Sequence, residues 1–145
     1  LDSEEEKKEI EEKTAENKDM LTAMKDALAD KVKEVRISSR LIDDPVCIVA
    51  DEGVSLDMER YMANDPMNKD RAITATKILE INPNHPIFNK LREVSTSSPE
   101  KLKEYTDVLY DQALLIEGLP IKNPVEFAKK ITKLIVDAKN AFHFV

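Results

Sequence analysis

The apolar residues change their spacing once, near Val32, and that change limits the fold more than any other feature. Upstream, Leu21, Met24, Leu28 and Val32 recur at steps of three and four, the period of one helical face. This predicts a docked helix over about Asn17 to Asp30. Downstream, in "KEVRISSRLI", Val35, Ile37, Ser39 and Leu41 alternate with Glu34, Arg36, Ser38 and Arg40, the period of a half-buried strand. After the turn-forming "DDP" comes "VCIVAD", apolar on both faces, which reads as a central strand. These two strands are expected to pair as an antiparallel hairpin, and "DEG" closes the second. A third strand is expected over Thr76 to Asn82, with a helical piece before it in "RAITA". A chain carrying both periods in one 145-residue domain is α+β: a small three-stranded sheet with packed helices.

The last third is set out by its punctuation. Pro86 suits the first turn of a short helix reaching Val94, with His85 at its entry. Ser98 as N-cap and Pro99 at the first position open a long helix that runs to Glu117, stopped by Gly118 with Pro120 beyond. Asn123, Pro124 and Glu126 open a final helix in the same style. Both helices are apolar on more than one face. Leu102, Tyr105, Leu109, Ala113 and Ile116 make one face of the first, and Val108, Tyr110, Leu114 and Leu115 add a second. The final helix carries Phe127, Ala128, Ile131, Leu134, Ile135 and Ala138. A small sheet covers one face of each helix. The entry helix could cover the rest, but a second copy covers more of it. The preferred reading makes the last two helices of each copy a dimeric four-helix bundle. Its candidate interface is Tyr105, Leu109, Leu114, Leu115, Ile116, Phe127, Ile131, Leu134 and Ile135.

Charge and rare residues narrow the chemistry. Residues 1–19 are nearly a charge block with no apolar stripe, so 1–16 read as a charged connector and helix start, 17–139 as the domain, and 140–145 as a tail. The start at Leu1 suggests a piece of something longer. A net charge of −7 argues against nucleic acid as a partner. The longest apolar run, Val46 to Ala50, is too short for a membrane, and no secretory leader is visible. Cys47, the single cysteine, fits a reducing, cytoplasmic setting and reads as a small core residue. Gly53 and Gly118 are the only glycines, which excludes a phosphate-cradling loop. His85 and His143 are the only histidines and show no metal-ligand spacing. Asp43–Asp44 and Asp51–Glu52 mark turns, and no serine sits in a nucleophile elbow. No catalytic residue, metal site or cofactor is assigned, and the chain reads as non-enzymatic.

One stretch, "VSLDMERYMANDPMNKD", holds three of the five methionines. Ser55 is its expected N-cap, and Val54, Met58, Tyr61 and Met62 share a helical face before Pro66 breaks the helix. Such a stripe usually faces a core. Against that, the helix is barely two turns long and a polar loop follows it. Methionine also suits a promiscuous contact surface, being unbranched and polarisable.

"SSRLIDDPVCIVAD", "DMERYM", "ILEINPNHPIFNKLRE" and "LYDQALLIEG" followed by "NPVEFAKKI" occur in the order and spacing of the C-terminal domain of the heat shock protein 90 chaperones. The resemblance covers about Glu4 to Asp137, and the charged "EEEKKEIEEK" resembles the passage from that family's middle domain. The acidic tail by which eukaryotic members bind co-chaperones is absent, which points to a bacterial member of the high-temperature protein G type. The resemblance implies a homodimeric, ATP-driven chaperone whose ATP and magnesium sites lie in an N-terminal domain. It implies dimerisation through the last two helices. It also implies client contact through a short amphipathic helix matching Leu56 to Asn64, here carrying Met58, Tyr61 and Met62, with Leu56 and Met67 as further candidates. The implied partners are a second copy, unfolded or partly folded client proteins and other chaperones, with neither nucleic acid nor membrane. The rival is a purely structural dimerisation module whose clients bind elsewhere.

Overall fold

The computed structural model describes residues 4–39, 43–68 and 73–138. Among these residues the α-helices and strands follow in the order α1 (Glu4–Glu16), α2 (Lys18–Leu28), β1 (Glu34–Ile37), β2 (Val46–Ala50), α3 (Leu56–Ala63), β3 (Lys77–Ile81), α4 (Pro86–Ser97), α5 (Pro99–Ile116) and α6 (Pro124–Ala138), with short 3-10 turns at Ala29–Lys31 and Pro66–Asn68. The fold is α+β, a three-stranded mixed sheet with helices packed on it.

The change of period at Val32 is where α2 hands over to the sheet. Met20, Leu21, Met24 and Leu28 are the buried residues of α2, and Val35 and Ile37 those of β1. The alternation ends there: Ser38 is buried and Ser39 exposed, while Leu41 lies outside the described residues. The expected β1–β2 hairpin does not form. The strand order is β1-β3-β2. β1 runs parallel to β3 with Val35 opposite Leu79, and β2 runs antiparallel to it with Ile48 opposite Leu79. β3 therefore takes the centre that the sequence assigns to β2. All five of its residues are buried, whereas β1 alternates and β2 is only half covered. The strand with least access to water fills the slot with a neighbour on each side.

Glu80 of β3 joins the three strands on the face away from the core. It is buried, accepts from Arg36 Nε at 2.8 Å across β1, and takes Cys47 Sγ at 3.6 Å across β2. Cys47 is thus half-buried beside a carboxylate and is not in the core cluster, which corrects its reading as a core residue.

α5 is the hub, packing against α2, α4, β2 and α6. Its Leu102, Leu109, Tyr110, Ala113 and Leu114 enter one core with Met24, Leu28, Leu79, Ile81 and Leu91. The entry helix thus covers part of the α5 surplus. Ser98 closes α4, donating its amide to Val94 O at 2.8 Å, and opens α5, where its Oγ accepts from Lys101 N at 3.3 Å. His85 caps α4, its Nδ1 accepting from Ile87 N at 3.0 Å. α1 has no buried residue; Ile10 alone of its side chains rests against the core. The helix expected in "RAITA" is absent from residues 73–75, which are irregular. Their backbone is engaged elsewhere, since the Ala75 amide is taken by a carboxylate of α3 at 2.6 Å. The tail assigned to 140–145 lies outside the described residues, as does residue 139. Among the described residues no helix is long and apolar enough to cross a membrane.

Candidate functional site

α3 begins where the sequence places it. Ser55 Oγ accepts from Met58 N at 3.0 Å, and Asp57 and Glu59 sit in the first turn, where acidic groups favour the helix dipole. The helix is eight residues long, too short to stand alone in water. Its fastening is polar. Glu59 is the one buried residue of α3. Its Oε1 accepts from Ala75 N at 2.6 Å and from Lys77 Nζ at 2.7 Å. Lys77 is itself 7% exposed, and its ammonium also reaches Ala75 O at 3.4 Å. A carboxylate and an ammonium withdrawn from water together, each with further hydrogen bonds, form a stable pair where either alone would not.

Arg60 makes the second attachment. Its Nε donates to Glu117 O at 2.6 Å, and one terminal nitrogen lies 3.3 Å from the Glu117 carboxylate. The other terminal nitrogen holds Asp57 at 2.6 Å. Glu117 caps α5, so a cation sits at that helix's C-terminus, where unpaired carbonyls and the dipole favour it. Gly118 follows with φ +73, a left-handed conformation natural to glycine at a helix end.

These attachments fix which side of α3 faces out. Leu56 packs partly against the core, and Val54 and Met62 are half-buried. Met58 is 49% exposed and Tyr61 67%. Tyr61 borders an open hollow with Asp57, Arg60, Asn64, Asp65 and Pro66. Met67 lies beyond the helix break, 89% exposed, its amide held by Asp65 Oδ1 at 3.0 Å. Of the expected contact residues, Met58, Tyr61 and Met67 therefore face water, Met62 does so in part, and Leu56 turns inward.

Behind α3 lies a cleft of about 260 Å³ bordered by Glu59, Lys77, Tyr110, Asp111 and Leu114. Tyr110 OH donates weakly to Lys31 O at 3.4 Å, and the Lys31 ammonium stands 5.9 Å from the ring centroid. Burial, aided by the charge of Glu59, pushes the Tyr110 phenol up to about 12. Burial also raises the Asp111 carboxyl above its ordinary value, against the pull of Lys31 and Lys130. The charged groups that fasten α3, Glu59 with Lys77 and Arg60 with Asp57 and Glu117, are all paired, and among the described residues no acidic, histidine or cysteine cluster is placed to hold a metal.

A second apolar surface lies at the other end of the chain. No residue of α6 is buried. Phe127, Ile131 and Leu134 are half-buried at helical spacing and make the stripe with which α6 leans on α5. Lys130 holds Asp107 at 3.3 Å and Lys133 pairs with Glu104. Other apolar residues of both helices face water and make the outer stripe: Val125 at 63%, Ile135 at 67% and Val136 at 52% along α6, and Leu115 and Ile116 at 51% and 50% on the last turn of α5. Of the expected interface residues, Leu109 and Leu114 lie in the core of the protomer and Tyr105 is half-buried against it, while Leu115, Ile116 and Ile135 are open. Val125 and Val136 belong to the open stripe and were not among the expected residues. Val125 and Val136 are eleven residues apart, a helical repeat, but the polar neighbours Lys122, Asn123 and Asp137 hide the signal.

Comparison with known proteins gives one consistent result. A family model described as Hsp90 protein matches residues 1–142. The chain is 47% identical over 136 residues to "Chaperone protein HtpG" of Bacillus subtilis, covering 94% of the chain. The identity to the HtpG of Oceanobacillus iheyensis is 49% over 133 residues, or 92% of the chain. With the HtpG of Clostridium acetobutylicum it is 46% over 135 residues, or 93%. In each case the match spans only 21% of the relative's length.

Proposed function

Because the chain belongs to the Hsp90 protein family, we propose that it is the C-terminal homodimerisation and client-contact domain of a bacterial ATP-dependent chaperone. The chain corresponds to about a fifth of its relatives, and ATP binding and turnover are assigned to the part it does not match. Its own role is to join two copies and to offer an adaptable apolar surface. It acts in the cytoplasm on unfolded or partly folded proteins, alongside other chaperones, and has no catalytic residue or cofactor of its own.

The observation that carries this reading is the pair of open apolar surfaces on one protomer, Met58–Tyr61 on α3 and the outer stripe of α5 and α6. Neither is used by the core. The α6 stripe suits a second copy, since a helix with one stripe on α5 and another in water is half of a helical bundle. The α3 face is smaller and carries methionine, which suits varied occupants. Burying Met58 and Tyr61 yields about 1.5–3 kcal/mol each, and the lost freedom of association, about 4–15 kcal/mol, cancels or exceeds the sum. A single face is therefore a weak binder. Two faces joined in a dimer gain from effective concentration.

The test is suppression of aggregation of a heat-unfolded client by the chain, compared with Met58→Ala/Tyr61→Ala. The double variant is expected to keep its fold and oligomeric state and to lose most of the suppression. Equal suppression would favour the purely structural dimerisation module.

A further inference from the structure

We propose that Arg60 is a positioning residue that ties the Met58–Tyr61 face to the corner between α5 and α6, so that ordering either surface orders the other. The proposal rests on the reading that these are the two binding surfaces.

The tie is one planar group. Three nitrogens of the Arg60 guanidinium serve Asp57 on its own helix and both the carbonyl and the carboxylate of Glu117. The two elements are 57 residues apart in sequence. Glu59 fastens α3 to Ala75 and Lys77, and Leu56 rests on the core, while Arg60 is what ties it to the end of α5. The site is built to admit the guanidinium: a Cβ on Gly118 would stand 3.3 Å from Arg60 Nε and 3.5 Å from its Cδ.

On the far side of Glu117 the same turn carries the outer stripe. Leu115 and Ile116 are its open residues. Gly118 N bonds Leu115 O at 3.0 Å, and Leu119 N bonds Leu114 O at 2.9 Å. Leu119 is 2% exposed and pins the corner to the core. A second copy seated on Leu115 and Ile116 would still the turn that presents the Glu117 carbonyl. Arg60 would then be held more firmly, and with it the helix that carries Met58 and Tyr61. Linkage makes the effect reciprocal, so an occupant on α3 strengthens the dimer by the same factor.

Lysine would keep the charge and lose the fork, since one ammonium cannot serve both Asp57 and the two Glu117 oxygens in this geometry. The experiment is amide hydrogen exchange on the whole chain at concentrations below and above its self-association midpoint, for wild type, Arg60→Ala and Arg60→Lys. Association in wild type is expected to slow exchange at Met58–Asn64 by about fivefold. In Arg60→Ala those amides and Glu117–Leu119 should exchange about tenfold faster, with no response of α3 to concentration. Arg60→Lys should fall between the two. Unchanged protection of β3 identifies an intact core; where Arg60→Ala disturbs it, Arg60→Lys decides. Faster exchange confined to α3, with Glu117–Leu119 and the concentration response as in wild type, would overturn the proposal. A wild type that stays monomeric would instead count against the dimer, and exchange at Glu117–Leu119 would still show whether Arg60 ties the two elements.

Discussion

Glu59 lies on a helix whose other acidic residue, Asp57, faces water, yet its own carboxylate is buried against Lys77. Removing one partner of such a pair leaves a charge without compensation. Lys77→Ala is expected to destabilise the fold by about 3–5 kcal/mol. Replacing both with apolar residues, Glu59→Leu with Lys77→Met, should cost much less, because no charge is stranded; urea denaturation of the three chains measures the difference. Tyr110 sets the alkaline limit beside it. Its folded value of about 12 stands above the ordinary 10.0, so between those values the unfolded chain releases a proton that the folded chain keeps. The contribution is therefore whole below pH 10 and falls as pH rises toward 12, by about 1.4 kcal/mol per pH unit. Tyr110→Phe should flatten this fall in denaturation curves taken from pH 9 to 11. At this scale the caps were legible: Ser55, Ser98 and Gly118 act locally, within three residues of the groups they satisfy. Glu59 was not, because its partners lie 16 and 18 residues downstream, and a charge on a short amphipathic helix ordinarily reads as solvated.

Elements follow the same division between local and distant causes. The three strands and the late helices were readable, since period, cap and breaker residues mark them along the chain. The order of the strands was not. Competition for the central position is settled by total burial, and the single Glu80 in "KILEI" disguised the most buried strand. Polar pairing by Arg36 and Cys47 is what makes that carboxylate tolerable at the centre. The surplus of apolar faces was also legible, but its division was not. Leu109 and Leu114 are buried in the core of the protomer, whereas Ile135 and Val136 stay in water. A charge at Leu109 and a charge at Ile135 should therefore act differently. Leu109→Glu is expected to lower the melting temperature sharply, since a buried unpaired carboxylate costs several kcal/mol. Ile135→Glu should leave it within a degree or two in dilute solution, as followed by circular dichroism.

Across the whole molecule, the α3 face and the open last turn of α5 share one corner. The last turn of α5 carries Leu115 and Ile116 outward, while its terminal carbonyl holds Arg60 and so the helix of Met58 and Tyr61. Family membership was legible from five quoted segments, which the match over residues 1–142 bears out. The link between the surfaces was not, because it is made by one side chain reaching across the fold. Everything proposed for function depends on the outer stripe of α5 and α6 being covered by a second copy. Sedimentation equilibrium of the chain and of Ile135→Glu, from below to above micromolar concentration, measures this most directly. The account predicts a dimer for the chain at micromolar concentration and a folded monomer for Ile135→Glu. A chain that stays monomeric throughout, or an Ile135→Glu variant that dimerises as well as wild type, would contradict it.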